Sequence, residues 1–337
     1  MNVNPDKLKN KIYGALYGVA IGDAIGMPTT FMSRDDIKGK YGVVTDFLQA
    51  PMEGSVHSKL VRGEYTDDTE MTFMLAQSIA SKKLVDPEDI SRRLVSWADE
   101  NNILNTTLIG PSTRKAIISL KSGISYKFTG VGGTTNGCAM KISPVGIFDA
   151  FTSDESTVND VINACMCTHH TAIAISGASA ICFAVKSAIS GHSNVDDILK
   201  SALRGADLGS TLMGNPKISV SSRIREAVSI ADKYENFDDY LDSLYNFILK
   251  PKGALTEDSV PVALSIFIKS RGNFRDAILM ACNLGGDSDT IGAMTGAIAG
   301  SYADISNIPE NWINTIKVSN KINIEGLGGE LFDAMQV

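Results

Sequence analysis

Two short acidic clusters are the residues of this sequence best suited to chemistry. They are Thr66-Asp67-Asp68-Thr69-Glu70 and Gly285-Gly286-Asp287-Ser288-Asp289-Thr290. Each cluster opens an apolar segment with helical periodicity and offers at least two carboxylates beside hydroxyl groups. Helix capping is one explanation, since Asp67 with Glu70 matches a capping box and Asp289 is a good N-cap. Capping needs one acid per helix, however, so the paired carboxylates also indicate a bound cation.

The donor types in these clusters point to a hard cation. Carboxylate and hydroxyl oxygens without nearby Cys or His suit Mg²⁺, Mn²⁺ or Ca²⁺ and disfavour zinc. If the clusters meet in the fold, four Asp and two Thr side chains can hold a pair of ions. The sequence after Asp287 does not match an EF-hand, and a phosphatase-type DxDxT pattern fails because Thr290 comes one residue early. From the residues alone, metal binding and capping both remain open.

Five segments with distinctive composition follow one another along the chain. They are Gly14-Ala15-Leu16-Tyr17-Gly18, Gly22-Asp23-Ala24-Ile25-Gly26, Tyr65-Thr66-Asp67-Asp68-Thr69, Asn136-Gly137 with Met140 and Pro144, and Gly286-Asp287-Ser288-Asp289-Thr290. Together they resemble the signature segments of the ADP-ribosylglycohydrolase family, which includes the dinitrogenase reductase activating glycohydrolases. The resemblance spans most of the chain, and all segments stand in the family order.

The resemblance implies an all-α, orthogonal helical bundle with two Mg²⁺ or Mn²⁺ ions in a central cleft. The metal ligands that it implies are Thr66, Asp67, Asp68, Asp287, Asp289 and Thr290, with Asp289 as the bridging residue. The metals would orient the 2- and 3-hydroxyls of a terminal ribose and polarise a water while the glycosidic bond at C1 breaks.

The same resemblance implies residues that contact the substrate. They are Gly132, Gly133, Asn136, Gly137, Met140 and His169. The glycine-rich loop would present backbone N–H groups to the sugar and the diphosphate. Taken alone, this loop also fits a flexible connector, and His169 fits a partly solvated residue at a helix start.

Two positions depart from the family pattern. Active members often carry a glutamate base shortly after the Gly22–Gly26 segment, but residues 27–31 contain no carboxylate. Asp68 is therefore our first candidate for the catalytic base, unless the substrate itself differs. Lys141 stands where many members have Arg, which keeps the charge but loses the planar fork that grips phosphate or carboxylate.

Three functions are compatible with these residues. The leading one is a metal-dependent hydrolase that removes ADP-ribose from a modified protein or small molecule. The second keeps the fold and the metals but takes a simpler ribosyl substrate such as a nucleoside, because of the missing glutamate and Lys141. The third is a noncatalytic ADP-ribose-binding relative, against which the complete set of metal-type residues argues.

Helical periodicity predicts the elements that must position these residues. The predicted helices cover residues 7–21, 68–81, 88–100, 111–121, 157–167, 171–189, 195–208, 217–233, 237–248, 257–269, 274–283, 289–303 and 309–318. Strict two-residue alternation is almost absent, which favours an all-α fold over a βαβ fold. Two glycine trios, Gly14/Gly18/Gly22 and Gly292/Gly296/Gly300, repeat every four residues and predict close helix crossings in the core. No linker divides the chain, so we expect a single domain over residues 1–337.

The composition limits the partners and the location. The chain has 337 residues, 44% of them hydrophobic and 20% charged, which is typical of a folded protein rather than a disordered one. A formal net charge of −7 argues against a nucleic-acid scaffold or a membrane surface as the main partner. The N-terminus shows no secretion signal, so we expect a cytoplasmic protein.

Two further expectations concern the apolar segments. Five cysteines without a CxxC pair predict reduced, buried thiols and no disulfide. The apolar segment 171–190 carries Lys186 and several hydroxyl groups, which are costly in hydrocarbon. We therefore predict a buried helix of a soluble protein there.

Overall fold

The fold is known from a computed structural model, which describes residues 4–49, 51, 53–251 and 253–335. Within these ranges the chain forms seventeen α-helices and no β-strand, so the predicted all-α fold is confirmed. The helices are α1 (Pro5–Gly26), α2 (Arg34–Tyr41), α3 (Asp67–Lys82), α4 (Pro87–Glu100), α5 (Pro111–Lys121), α6 (Tyr126–Thr129), α7 (Ser143–Phe148), α8 (Asp154–Cys165), α9 (Ala172–Ile189), α10 (Val195–Leu212), α11 (Val220–Lys233), α12 (Phe237–Phe247), α13 (Thr256–Lys269), α14 (Phe274–Leu284), α15 (Ser288–Ala303), α16 (Glu310–Asn320) and α17 (Ile324–Ala334). Short 3₁₀ helices cover Met27–Thr29, Ile103–Asn105, Asn136–Cys138 and Ile305–Asn307.

The central packing unit is the pair α1 and α15, which meet through the two glycine trios. A Cβ atom on Gly18 would lie 2.0 Å from the carbonyl oxygen of Gly296, and the neighbouring glycine pairs repeat this approach. Such distances are far inside van der Waals contact, so only glycine allows the backbones to come this close. The predicted close crossings are thus confirmed, and the two trios face each other. Their contact brings Asp23 of α1 near Asp289 at the start of α15.

Side-chain caps explain where several helices begin. Ser153 accepts a hydrogen bond from the N–H of Ser156, so α8 starts at Asp154 and not at residue 157. Ser219 likewise caps α11, which starts at Val220 and not at residue 217. Four helices have no counterpart among the predicted segments. Three of these, α2, α6 and α7, have eight residues or fewer, and the fourth, α17, contains three glycines that weaken its helical pattern.

The helix α9 passes through the core. It is the one helix of the described ranges that is long and apolar enough to span a membrane, and 89% of this span is buried within the protein. Lys186, near its end, donates hydrogen bonds to the carbonyl of Thr152 and the hydroxyl of Thr157. The prediction of a buried helix is confirmed.

One prediction about the cysteines is wrong. Cys138 and Cys165 form a disulfide, with their Cα atoms 5.6 Å apart. Cys138 ends the 3₁₀ helix Asn136–Cys138, and Cys165 is the last residue of α8, so only the tertiary fold brings them together. The other three cysteines are free and buried: Cys167, Cys182 and Cys282.

Candidate active site

The two acidic clusters meet in one cavity of about 370 Å³. The start of α3 contributes Asp67 and Asp68, and the start of α15 contributes Asp287, Asp289 and Thr290. The cavity wall also contains residues from five other parts of the chain: Phe31, Val56, His57, Thr107, Leu108, Ile109, Gly110, Pro111, Thr113, Thr135, Asn136, Gly137, Met140, Lys250, Gly253, Ala254 and Leu255. The two acidic clusters therefore lie close together, as the predicted cation site requires.

Asp23 of α1 fixes the start of α3. Its Oδ2 atom accepts hydrogen bonds from the N–H of Thr66 (2.9 Å), the N–H of Thr69 (3.1 Å) and the hydroxyl of Thr69 (2.6 Å). Asp23 is fully buried, so these bonds satisfy one oxygen of a carboxylate that water cannot reach. The helix α3 consequently enters the site in a defined orientation, with Asp67 and Asp68 directed towards the cavity.

A tight turn before α15 fixes the second cluster. Gly285 and Gly286 have φ angles of +82° and +68°, a left-handed conformation that favours glycine. Gly286 is bonded to the segment after α1 in both directions, because its carbonyl accepts from the N–H of Phe31 and its N–H donates to the carbonyl of Met32. The segment without the expected glutamate is thus joined directly to the second acidic cluster.

Asn136 holds Asp287 in place from the opposite wall. Its Nδ2 atom donates to Asp287 Oδ2 at 2.5 Å and to the hydroxyl of Ser259 at 2.8 Å. The N–H of Asn136 donates to the carbonyl of Ala254. The amide therefore occupies one carboxylate oxygen of Asp287, a residue that lines the cavity.

His57 is the partner of Asp289. Its Nε2 atom lies 2.8 Å from Asp289 Oδ2. Since an ionised carboxylate can only accept, Nε2 is protonated and donates this hydrogen bond. The other carboxylate oxygen accepts from the N–H of Thr290, and the N–H of Asp289 donates to the hydroxyl of Thr30. His57 Nδ1 is buried and has no hydrogen-bond partner among the described residues.

The carboxylates of the cavity raise one another's pKa values. Burial raises the pKa of Asp287 to about 8, and the nearby Asp289 adds to this rise. Burial also raises the pKa of Asp23 to about 7, although Thr69 donates to it. The pKa values of Asp67 and Asp68 lie well above the usual range through burial and through the other carboxylates. A buried group of like charges of this kind is stabilised by a cation.

Asp289 is the exception in this group. Burial works to raise the pKa of Asp289, but the hydrogen bond and the charge of His57, together with the hydrogen bonds to Thr290 and Thr30, outweigh burial and lower it. Burial alone would lower the pKa of His57, yet the bond to Asp289 and the nearby carboxylates raise it. The pair therefore keeps Asp289 ionised.

The residues present fit a hard divalent cation. No group of three or more His, Cys, Asp or Glu side chains in the described part of the chain is already close enough to hold a metal ion. However, Asp68 Oδ1 and Asp23 Oδ1 are buried oxygens without a hydrogen-bond partner there. Unpaired buried carboxylate oxygens in an all-oxygen donor set suit Mg²⁺ or Mn²⁺. The six-residue ligand set itself stays a prediction.

The sequence predicted the wrong capping residues for α3 and α15. The N-cap of α3 is Thr66, whose hydroxyl accepts from the N–H of Asp68, and not Asp67. The N-cap of α15 is Asp287, without a side-chain capping bond, and Asp289 lies inside the helix. Asp67 and Asp289 are thus not N-caps, although both lie in the first turn of their helices, where a carboxylate also interacts favourably with the helix dipole.

The predicted substrate residues fall into two groups. Asn136, Gly137 and Met140 line the cavity. Gly132, Gly133 and His169 do not line it, so their role in binding stays a prediction.

Of these three residues, Gly133 and His169 are buried outside the cavity lining, and Gly132 is exposed. His169 is fully buried, and its Nε2 atom lies 2.9 Å from the hydroxyl of Thr135, which does line the cavity. Burial lowers the pKa of His169 to about 3, with a smaller effect of Lys141 in the same direction. A Cβ on Gly133 would lie 2.1 Å from the carbonyl oxygen of Thr168, so this glycine is required by packing. His169 therefore supports the wall as a neutral side chain.

Sequence reasoning missed His57, the structural role of Asp23, and Lys250. An acid inside the apolar helix α1 is a usable signal for Asp23. His57 and Lys250 lie in irregular segments, and no spacing relates either of them to the acidic clusters. Neither residue type nor periodicity marks them as cavity residues.

Known proteins resemble this chain over almost its whole length. The family model for ADP-ribosylglycohydrolase matches residues 4–337. The uncharacterised protein YegU of Escherichia coli (strain K12) is 32% identical over 88% of this chain and 89% of its own length. The ADP-ribosylarginine hydrolase Tri1 of Pseudomonas putida (strain GB-1) is 30% identical over 98% of this chain and 80% of its own. A solved structure described as an ADP-ribosylglycohydrolase-related protein complex has a TM-score of 0.72 at 23% identity and covers 98% of this chain and 99% of that one.

The helical fold and the family match define a glycosidase-type hydrolase. More specifically, the chain belongs to the ADP-ribosylglycohydrolase family. The resemblance read from the five sequence segments is therefore confirmed.

Proposed function

We propose that this protein is a divalent-metal-dependent hydrolase that cleaves the glycosidic bond of an ADP-ribosylated protein or small molecule. The observation that carries the proposal is the meeting of Asp67 and Asp68 with Asp287, Asp289 and Thr290 in one cavity, where Asp68 keeps an unpaired, buried oxygen; the sixth predicted ligand, Thr66, does not line the cavity. The similarity to a hydrolase of ADP-ribosylarginine supports this choice of substrate class.

Two groups of residues would hold the metal ions. Thr66, Asp67 and Asp68 form the group at α3, and Asp287, Asp289 and Thr290 form the group at α15. Mg²⁺ or Mn²⁺ would supply Lewis acidity and a template for the hydroxyl groups of the ribose. Asn136 orients Asp287 and His57 orients Asp289, so the ligands are held before the cation arrives.

The protein's own groups would then carry the proton and stabilise the sugar. Asp68 Oδ1 has no other partner in the described chain, so it is placed to accept the proton of the attacking water. Burial and the neighbouring carboxylates raise the pKa of Asp68, which makes its carboxylate a stronger base. The surrounding carboxylates stabilise the positive charge that develops at C1 of the ribose. Phe31 and the apolar wall residues Leu108 and Met140 limit access of bulk water.

Calorimetry with Asp289→Asn tests the cation site. This substitution keeps the size of the side chain but removes its charge, so we expect loss of tight Mn²⁺ binding and of ADP-ribose release from conjugates. Asp196→Asn, at an exposed position of α10, is the matched control and should bind Mn²⁺ as the wild type does. Unchanged Mn²⁺ affinity in Asp289→Asn would remove Asp289 from the ligand set.

A simpler ribosyl compound, such as a nucleoside, is the second candidate substrate. The specific observation in its favour is the scarcity of cations for a diphosphate. Lys141 is fully buried beside Thr168 and does not line the cavity, and Lys250 is the only Lys or Arg among the described lining residues. Titration of ADP-ribose and adenosine into the Mn²⁺-loaded protein separates the candidates. Tighter binding of ADP-ribose supports the first substrate class, and tighter binding of adenosine supports the second.

A further inference from the structure

The acidic residues of this chain are unevenly distributed. The chain has 38 acidic and 31 basic residues, yet none of the acidic ones falls in residues 101–148. That stretch contains Arg114, Lys115, Lys121, Lys127 and Lys141, so it is locally basic within an acidic protein. The same stretch supplies two parts of the cavity wall, residues 107–113 and 135–140.

Large apolar side chains are exposed in the same stretch. Ile118, Ile124, Phe128 and Val131 are between 48% and 69% exposed. Other large apolar residues are exposed elsewhere in the described chain, but here four of them fall within fourteen positions, and clustered apolar exposure is what marks an interaction site. Exposed aromatic and aliphatic side chains can form the apolar centre of such a site, and the lysines beside them can attract a partner of opposite charge.

These residues form a surface that continues from the cavity mouth. Pro111 lines the cavity, and Lys115 and Ile118 follow it at four and seven residues along α5, so the three share one helix face. The Lys115 Nζ atom would lie 3.7 Å from a Cβ on Gly132, so the loop that carries Val131 runs beside this face. The helix α6, with Lys127 and Phe128, packs against α5. We call this surface the basic apolar face; it comprises Lys115, Ile118, Lys127, Phe128 and Val131.

Two of the four exposed or partly exposed cations of this stretch are already used within the protein, and two are not. Arg114 donates to the carbonyls of Leu104 and Thr106, and Lys121 pairs with Asp99. In the described ranges, no carboxylate lies within ion-pair distance of Lys115 or Lys127. Both of these lysines are exposed and can bind a partner's acidic groups.

We infer that the basic apolar face docks the protein that carries the ribosyl group, through a segment of that protein rich in acidic and apolar residues. This inference rests on the proposed function, because it makes the docked partner the substrate. Charge complementarity selects an acidic segment, and the position of the face next to Pro111 selects a partner whose modified side chain enters the cavity. Screened charge attraction of this kind mainly raises the association rate and the specificity.

Binding of two synthetic peptides tests the inference without requiring turnover. Both carry a fluorescent label and a central arginine; one is flanked by glutamate and leucine, the other by lysine and leucine. We expect the wild type to bind the acidic peptide at least tenfold more tightly, with a preference that weakens as salt is added. Lys115→Glu/Lys127→Glu should abolish the preference, and Phe128→Ser should weaken binding of the acidic peptide. The control Lys217→Glu/Lys233→Glu changes two exposed lysines elsewhere and should keep the preference.

The same peptides with an ADP-ribosylated arginine separate this inference from the proposed function. For the wild type, we expect a higher kcat/KM on the acidic conjugate than on the basic one, and Lys115→Glu/Lys127→Glu should lose this difference but keep its activity on free ADP-ribosylarginine. If no conjugate is hydrolysed but the acidic peptide still binds preferentially, the docking surface stands and the proposed function fails. Equal binding of both peptides by the wild type would overturn the inference. A Lys115→Glu/Lys127→Glu variant that keeps the preference would also overturn it. So would a wild type that binds phosphatidylserine vesicles, if that binding were all that the variant loses.

Discussion

Asp289 is held by groups from three different parts of the chain. His57 donates to one carboxylate oxygen, Thr290 donates to the other, and the hydroxyl of Thr30 accepts from the N–H of Asp289. Thr30 lies in the segment where a glutamate base was expected. The chain therefore uses this position to anchor a predicted metal ligand and supplies no carboxylate from it.

His57→Ala removes the orienting partner of Asp289. We expect Mn²⁺ affinity to fall roughly tenfold, at the lower end of the effect of losing an outer partner of a metal ligand. The reason is that Asp289 loses the hydrogen bond that holds its pKa below the usual range. Calorimetric titration of Mn²⁺ measures the change, and His192→Ala, at an exposed histidine, is the control. Tighter Mn²⁺ binding by His57→Ala would show that the imidazole blocks the site instead of supporting it.

At the scale of residues, chemistry was predictable where residue types cluster. The paired acids of residues 66–70 and 285–290 stand out because no ordinary helix start needs so many carboxylates. Their meeting was a condition that the sequence alone left open, and α1 and α15 provide it. His57 was unpredictable because its role depends on a contact across 232 residues of sequence.

At the scale of elements, the contact between α1 and α15 sets the geometry of the site. The N-terminal part of α15 holds two of the acids, and α1 holds Asp23, which positions α3. Because the two helices touch backbone to backbone, a small change in their separation moves every predicted ligand on both sides.

Gly296→Ala tests this contact. A new Cβ would lie 1.9 Å from the carbonyl oxygen of Gly18, which is backbone and cannot rotate away. We expect the free energy of unfolding to fall by about 3 kcal/mol or more, the upper end of overpacking effects. The control is Gly39→Ala in α2, where nothing lies within 4 Å of the new methyl group and helix propensity should raise stability slightly. Urea denaturation measures both changes, and a Gly296→Ala variant as stable as the wild type would contradict the packing account.

The disulfide between Cys138 and Cys165 joins the cavity wall to α8. Its loop of 27 residues restricts the unfolded chain, so Cys138→Ala/Cys165→Ala should lower the free energy of unfolding by about 3.5 kcal/mol on the chain-entropy model. Urea denaturation with and without dithiothreitol measures this effect. Dithiothreitol should destabilise the wild type and leave the double variant unchanged. Equal sensitivity of the two proteins would exclude the disulfide as the cause.

The helices themselves were the most predictable elements. The helix α5 begins and ends where its pattern indicates, because Pro111 starts it and the apolar spacing continues to Lys121. The short helix α2 was missed although Ser33 and Asp36 form a capping box, because eight residues carry too little apolar periodicity. The disulfide was missed for a different reason, since an odd cysteine count says nothing about which two thiols meet.

At the scale of the whole molecule, folding brings several carboxylates to one place. Carboxylates at the starts of α3 and α15 line this cavity, and Asp23 of α1 is buried against the start of α3, so their mutual repulsion is a cost that the rest of the fold must offset. The extensively buried core offsets this repulsion, and a bound cation would reduce the repulsion itself. The stability of the folded protein should therefore depend jointly on the pH and on bound metal.

We expect opposite effects of pH on the metal-free and metal-loaded protein. In the folded chain the pKa of Asp287 is about 8 and that of Asp23 about 7, against 3.8 for an ordinary Asp. Between these values the folded state binds more protons than the unfolded state, so the free energy of unfolding of the metal-free protein falls as the pH rises from 5 to 8. Metal ligands must be deprotonated, so the stabilisation by Mn²⁺ grows over the same range.

Thermal unfolding at two pH values, with EDTA or with Mn²⁺, measures this coupling. With EDTA, the Tm should be higher near pH 5.5 than near pH 8, whereas the increase in Tm caused by Mn²⁺ should be larger near pH 8. Asp287→Asn is the informative variant, because an amide cannot ionise and is a weaker ligand for a hard cation. It should flatten the pH dependence in EDTA and reduce the Mn²⁺ increment, whereas Asp196→Asn should change neither. A Mn²⁺ increment that is equal at both pH values in the wild type would show that the ion binds away from the raised carboxylates, and the acidic cavity would then need another cation to explain it.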